Sequence, residues 1–334
     1  MIVIFAREDD RHAMAVAGIL ERDYRKTVLI FDLSMFPASL RLGARFSSAE
    51  DGGFFIDPRG RRIEFDAIES FWWRRPQPLR PDPVIADAQV QQFAVQESLS
   101  GLYGILRCCP GLWVNDIEHD SNADYKPRQL ALMQRSRLPI PDTLITNDSG
   151  EAKAFFDRHN GQVVYKAFNQ RGLIWLPTRR LIADDLVYLD ALRFAPVIFQ
   201  RLIEGIRDIR VTVVGNQLFA TEFVIENADC IDHRLLLETT RCAPHRLPAV
   251  VEQQVIRLVR DLKLEYGSVD LRMTDAGQYF FFELNTAGEF LYIEERTGQP
   301  ISAAVAAHLA AGRPATLPDA SAPDASAERV LADV

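Results

Sequence analysis

Ser268-Val-Asp270-Leu-Arg272-Met273 and Tyr279-Phe-Phe-Phe-Glu283-Leu-Asn285, joined through Thr274 and Asp275-Ala-Gly-Gln278, form the stretch whose reading decides the fold. Both runs are rich in strand-forming residues, and a four-residue loop 275–278 makes an ordinary hairpin connection. That loop predicts pairing of Met273 with Phe280, Leu271 with Phe282 and Val269 with Leu284, an apolar face that belongs in a core. Side chains alternate along a strand, so the opposite face carries Asp270 across from Glu283, with Asn285 at the same parity as Glu283. Like charges directly across a sheet repel. Two carboxylates and an amide oxygen side by side suit a hard divalent cation that keeps some waters and bridges phosphates, so Asp270, Glu283 and Asn285 are the candidate magnesium ligands. The plainer alternative is a solvated face on which Arg272 neutralises the acids.

Upstream, Val251, Val255, Leu258, Val259 and Leu262 form a helical apolar stripe over residues 250–262. Strands are expected at 197–201, 209–214 and 217–226. The run Val197-Ile-Phe-Gln200-Arg-Leu-Ile-Glu204-Gly leaves its strand with backbone groups that could face a purine edge. Glu204 or Asp208 could accept from ribose hydroxyls, and Arg210 could reach a phosphoryl group with its planar fork. An Asp208–Arg210 salt bridge explains the same residues equally well. Lys166, inside Val163-Val-Tyr-Lys166-Ala-Phe168, must either snorkel to water or meet an anion. Lys126 begins an expected helix at 124–135 capped by Asp124, where a lone lysine is usually superficial. Further elements are expected as a strand at 142–146, helices at 151–158 and 184–192, strands at 162–168 and 173–176, and a last helix from Ser302. Residues 312–334, rich in Ala, Pro, Asp and Ser, are expected to be a disordered tail.

The N-terminal part alternates strand, helix and strand at 1–5, 11–22 and 27–33, which predicts a parallel β-α-β unit. A hairpin is expected at 52–56 and 62–65, a strand at 69–73, a long helix at 83–107 and a strand at 112–114. The whole is an α/β (α+β) chain with expected divisions at 1–115, 116–200 and 201–311. The start carries no basic segment with a cleavage site, no apolar run is long enough for a membrane span, and the four cysteines lack metal-ligand spacing. A cytoplasmic enzyme with reduced thiols is the expectation. The net charge of −8 argues against general nucleic-acid binding. Phosphate loops of the G-x-x-x-x-G-K-[ST] and G-x-G-x-x-G types are missing, as are HExxH, GxSxG and CxxC.

In this order and spacing the chain resembles the ATP-grasp superfamily, and within it the microviridin-type peptide ligases, or graspetide synthetases. The resemblance rests on Phe71-Trp-Trp-Arg-Arg-Pro76, Asn115 with Lys126 and Gln129, Leu138-Pro-Ile-Pro-Asp-Thr143, Phe199-Gln200 and Asp208-Ile-Arg210-Val-Thr-Val-Val-Gly215. It continues through Asp232-His-Arg234, Leu264-Glu-Tyr-Gly-Ser-Val-Asp270 and Phe282-Glu-Leu-Asn285 to Gly288-Glu-Phe-Leu-Tyr-Ile-Glu-Glu-Arg-Thr-Gly298. It implies an ATP-grasp fold behind an N-terminal α/β pre-ATP-grasp domain, with ATP and Mg2+ as cofactors. By resemblance Lys126 and Lys166 contact ATP phosphates, Gln200-Arg201-Leu202 form the adenine hinge, and Asp270, Glu283 and Asn285 hold magnesium. Arg210 stabilises the acyl phosphate and the transferred phosphoryl group.

Such enzymes phosphorylate Asp or Glu side chains of a ribosomal precursor peptide. They couple them to Ser or Thr hydroxyls or a Lys amine, giving macrolactones or macrolactams. The resemblance implies a precursor peptide of leader plus core as partner, no nucleic acid or membrane, and favours a homodimer. A helix after the second lysine meets the leader in these enzymes, which points to Asp184 and Asp185. Arg74, Arg75, Arg234 and Arg272 are the other candidate substrate contacts. Departures are His233 where Trp is frequent, Thr286-Ala where Pro is usual, and a glycine-poor loop 169–172. That loop or 228–241 could close over the site. Two other readings stay open: a glutathione-synthetase-like carboxylate–amine ligase, and a nucleotide-binding module without turnover.

Overall fold

The computed structural model describes residues 1–48, 51–168, 176–225 and 240–312. These fall into two compact units. The first comprises residues 1–8, 20–113 and 309 onward; the second comprises 9–19 and 114–308. The main division lies at Trp113/Val114, close to the expected end of the N-terminal domain, whereas the expected central and C-terminal lobes share one unit.

In the first unit β1 (Ile2–Phe5) pairs parallel with β2 (Val28–Phe31) and, on its other side, with β6 (Ser70–Trp72). Helix α1 (Arg11–Tyr24) is divided between the units at Ile19/Leu20. The expected β-α-β element is therefore present, and the continuous burial of β1 is what a parallel central strand requires. Strands β3 (Arg41–Phe46), β4 (Asp51–Ile56) and β5 (Arg62–Glu64) make a separate antiparallel sheet. β3 was not expected; its glycine and exposed, charged residues hide any alternation. Helix α2 (Ala88–Leu106) and β7 (Leu112–Val114) complete this part.

The second unit holds two sheets. Helices α3 (Ile117–Ala123) and α4 (Lys126–Ser136) lead into it. Asp124 ends α3 rather than capping α4, because α4 starts at Lys126 with Pro127 in its first turn. Strand β8 (Thr143–Thr146), helix α5 (Ser149–Arg158), β9 (Val163–Lys166), β10 (Arg179–Arg180) and β11 (Val197–Arg201) give a four-stranded sheet in the order β10-β9-β11-β8. Residues 183–194, expected as a helix from 184, form a 3-10 helix whose Leu189 and Leu192 pack with Phe155 and Phe199.

The larger sheet is antiparallel, in the order β14-β13-β12-β15-β16. It contains β12 (Arg207–Val214), β13 (Gln217–Val224), β14 (Arg241–Pro244), β15 (Tyr266–Met273) and β16 (Tyr279–Asn285). Helix α6 (Ala249–Asp261) lays Val251, Val255, Leu258 and Val259 on Ile209, Val211, Val213, Val269, Leu271 and Phe281. Each such side chain contributes roughly 2 kcal/mol on burial, so one face of this sheet is fixed inward and the other is left for polar residues. Helices α7 (Leu291–Thr297) and α8 (Ile301–Ala311) close the chain's described part.

The decisive hairpin differs from expectation in one respect. Asp270 does oppose Glu283 and Val269 does oppose Leu284, but a bulge follows Asp270. Leu271 then pairs with Phe281, Arg272 with Phe280 and Met273 with Tyr279. The turn is one residue shorter than expected, with Met273 paired to Tyr279 and the Thr274 N–H donating to the Gln278 carbonyl at 2.9 Å. The bulge leaves Phe282 out of the core, half-buried, 5.5 Å beneath the Arg272 guanidinium. Bulges re-aim side chains in this way at the edges of sites.

Candidate active site

The polar face of β12, β15 and β16 carries a buried array of opposite charges. Arg210 stands opposite Asp270 in the sheet register and Asp208 stands opposite Arg272. The guanidinium of Arg272 grips Asp208 through Nε–Oδ1 at 2.6 Å and Nη2–Oδ2 at 2.9 Å. Arg210 Nη1 donates to Asp270 at 3.0 and 3.3 Å, while its buried Nε has no hydrogen-bond partner among the described residues. In place of the expected Asp208–Arg210 bridge, Asp208 pairs with Arg272 and Arg210 with Asp270, so the guanidinium nearest the facing acids is that of Arg210 rather than Arg272. Cross-strand neighbours in an antiparallel sheet lie closer than residues two apart on one strand, so the register chooses the pairs. Burial by itself would lower the Arg210 pKa, but Asp270, Tyr292, Tyr266 and Glu283 raise it above the usual value, so its charge is secure.

Glu283, 4 % exposed, takes the two lysines. Lys126 Nζ is 2.7 Å from its Oε2 and Lys166 Nζ 3.9 Å from the same oxygen. Both lysines are buried, so Lys166 has met an anion rather than snorkelled, and Lys126 is not a surface residue. Asn285 Nδ2 donates to Asp270 at 3.2 Å and to Glu283 at 3.3 Å. Asp270, Glu283 and Asn285 thus converge, as their strand parity predicts.

Two residues quoted for the resemblance but given no role hold this array in place. Gln129, one turn after Lys126, donates to the carbonyls of Ala123 (2.6 Å) and Leu284 (2.9 Å) and accepts from the Leu284 N–H (2.9 Å). It clamps α4 to β16, so that Lys126 meets Glu283. Asn115 accepts from the N–H groups of Glu265 and Tyr266, both at 2.8 Å, and donates to the Tyr266 carbonyl at 2.9 Å, pinning the start of β15. Nothing in the sequence marks these as struts, because the strands they tie lie more than 100 positions away.

A partly open cleft lies beside the array. Val164, Leu202, Ile209, Leu271 and the re-aimed Phe282 give it apolar lining, and Lys166, Asp270 and Glu283 are among the charged groups that also line it. The expected hinge Gln200-Arg201-Leu202 lies along it. Gln200 is buried and donates to Thr143 Oγ1 at 3.0 Å. The Arg201 and Leu202 N–H groups already donate to the Asp142 and Gln162 carbonyls. Asp208 borders the cleft, but both its oxygens are engaged by Arg272; Glu204 is exposed.

Of the candidate substrate residues, Arg74 and Arg75 belong to the first unit and Asp184, Asp185 and Arg272 to the second. Arg272 is buried and committed to Asp208 and the Ile203 carbonyl, which removes it from peptide contact. Arg74 is buried in the first unit, 5.9 Å from the Trp72 ring, and Arg75 beside it is exposed. Asp184 and Asp185 begin the 3-10 helix, Asp185 accepting from the Ile182 N–H at 3.1 Å. Arg234, the Asp232-His-Arg234 element, loop 169–172, the core of segment 228–241, residues 173–175 and the tail from 313 lie outside the described residues. Among the described residues, no helix is long and apolar enough to cross a membrane.

Residues 1–121 match the family description MvdD pre-ATP grasp domain. Among curated protein sequences none matches the chain. Among solved structures, the macrocyclase MdnC of Microcystis aeruginosa MRC, bound with the precursor peptide MdnA, is 26 % identical with a TM-score of 0.82. That match covers 92 % of this chain and 98 % of MdnC. The ATP-grasp ligase PsnB, complexed with a phosphomimetic minimal precursor, Mg and ADP, is 26 % identical with a TM-score of 0.74, covering 93 % and 97 %. A RiPP-associated ATP-grasp ligase of Chryseobacterium gregarium shares the fold at 24 % identity and a TM-score of 0.81, over 92 % and 95 %. Residues 1–121 thus match a pre-ATP-grasp domain, and across most of its length the chain is similar in structure to graspetide-type ATP-grasp ligases.

Proposed function

We propose that this chain uses ATP to activate Asp or Glu side chains of a ribosomal precursor peptide and couples them to Ser or Thr hydroxyls or a Lys amine, forming macrolactones or macrolactams. The observation that carries the proposal is one cleft lined both by apolar side chains, Val164, Leu202, Ile209, Leu271 and Phe282, and by Lys166, Glu283 and Asp270. A purine and a triphosphate need those two environments side by side. MdnC and PsnB are described with precursor peptides, and PsnB also with Mg and ADP.

The donor chemistry fits magnesium: two carboxylates face each other across β15 and β16, and Asn285, whose Nδ2 here donates to both, carries an amide oxygen beside them. Asp270, Glu283 and Asn285 would hold it, and its chemistry there is neutralisation of phosphate charge. Lys126 and Lys166 bind the phosphates, and Gln200 to Leu202 line the base. A substrate carboxylate oxygen attacks the γ-phosphorus, the bond to the β-phosphate oxygen breaks and ADP leaves. Arg210 offers its charge and its unpaired Nε–H to the transferred group. The hydroxyl or amine then attacks the acyl carbonyl, loses its proton and expels phosphate, with Arg210 stabilising the oxyanion.

Peptide docking has support on the 3-10 helix 183–194. There Val187, Tyr188 and Phe194 are each at least 73 % exposed beside Asp184. Exposed large apolar groups grouped this way mark interaction surfaces. The test is mass spectrometry of a candidate precursor, encoded nearby and rich in Asp/Glu and Thr/Ser/Lys, after incubation with MgATP. Successive losses of water with matching ADP release are expected; unchanged peptide mass with consumption of a free amino acid would refute the proposal.

A further inference from the structure

Gly288 follows β16 and sits against Arg210. A Cβ placed on it would lie 2.9 Å from Arg210 Nη2, 2.2 Å from Ser268 Oγ and 2.4 Å from Ser268 Cβ. Its φ is outside the left-handed region, so space, not backbone freedom, requires glycine here. The segment around it is fixed at several points. Tyr266, 1 % exposed, donates its hydroxyl to the Gly288 carbonyl at 2.7 Å. The N–H groups of Phe290 and Leu291 donate to His12 Nε2 at 3.0 and 3.3 Å. Asn115 reaches the Thr286 carbonyl at 3.4 Å. One side of the guanidinium is thus held by Asp270 and the other by bare backbone.

We infer that Gly288 and Tyr266 are positioning residues for Arg210: Tyr266 holds the Gly288 peptide against Nη2, and the missing side chain lets the guanidinium lie where the transferred phosphoryl group arrives. The inference rests on the proposed role of Arg210 for what the position accomplishes, but the seat itself can be read without that role. Such a seat matters because a shift of about 1 Å in a catalytic group can cost about a hundredfold in rate.

The experiment compares Ser268→Gly with Ser268→Gly/Gly288→Ala, since the first change removes the two Ser268 contacts and leaves the 2.9 Å contact with Arg210 Nη2. Arginine Nε–H signals are followed by 15N NMR, with Arg210→Lys to assign the buried one. Affinities are measured for MgADP and for MgADP with aluminium fluoride, a stand-in for the transferred group. Addition of Gly288→Ala is expected to move the Arg210 signal and to weaken fluoroaluminate binding about tenfold or more, with MgADP affinity within about twofold. Tyr266→Phe, which creates no clash, is expected to move the same signal by less. An Arg210 signal unmoved by both changes would overturn the seat. A moved signal with unchanged fluoroaluminate affinity would instead uphold the seat and refute the assigned role of Arg210.

Discussion

Replacing Glu283 by glutamine should strengthen nucleotide binding when magnesium is withheld, and the size of the effect follows from the charges around that carboxylate. Lys126 and Lys166 both point at Glu283 Oε2, at 2.7 and 3.9 Å. At an effective dielectric constant near 20, these contacts carry gross attractions of about 6 and about 4 kcal/mol. A triphosphate must draw both ammonium groups off the acid before it can use them. Hydration changes and the neighbouring Asp270 offset most of this, leaving a net restraint of about 1.4–2.8 kcal/mol, or ten- to a hundredfold in affinity. Glu283→Gln lifts the restraint and removes a metal ligand together. Isothermal titration of a non-hydrolysable ATP analogue should therefore show the variant binding about ten- to a hundredfold tighter than wild type in EDTA. Its enhancement by magnesium should shrink and turnover should vanish. The unliganded variant should be about 3 kcal/mol less stable in urea, since the lysines lose a buried counter-charge. Binding in EDTA no tighter than wild type would refute the idea that Glu283 restrains the lysines.

Asp208→Asn should lower stability by about 3 kcal/mol in urea titration, because it strands the buried Arg272 guanidinium; a loss under 1 kcal/mol would show the pair to be dispensable. Val187→Asp with Tyr188→Ala should weaken binding of a fluorescent leader peptide about tenfold, leaving MgADP affinity intact; equal leader affinity would move the docking surface elsewhere. Burial raises the Tyr292 pKa, helped by Asp270, Glu289 and Tyr266 and opposed by Arg210. The unfolded chain therefore loses this proton first, so the contribution is complete below about pH 10 and is lost as pH climbs from there through the higher folded value. Tyr292→Phe should flatten the alkaline fall of the urea midpoint, and an unaltered slope would count against that environment.

Much of this molecule is legible in the amino-acid order alone. Alternation along 266–273 and 279–285 suffices to set Asp270 against Glu283 with Asn285 beside them, and the stripe on α6 says which face must be core. The β-α-β start follows from short apolar runs around an amphipathic helix. These are local facts, fixed by periods of 2 and 3.6 residues. What tertiary structure alone decided is who answers each buried charge. Asp208 is two residues from Arg210 in sequence, yet it pairs with Arg272, 64 positions on, because β12 and β15 align them. Lys126 looks superficial until Gln129 draws its helix onto β16, 155 positions away. The bulge that turns Phe282 into the cleft depends on how the hairpin closes, and the fit of Gly288 against Arg210 depends on strands that only packing brings together. Periodicity assigns a side chain to a face; the partner it meets there is chosen by register and packing density, which no short window of sequence contains.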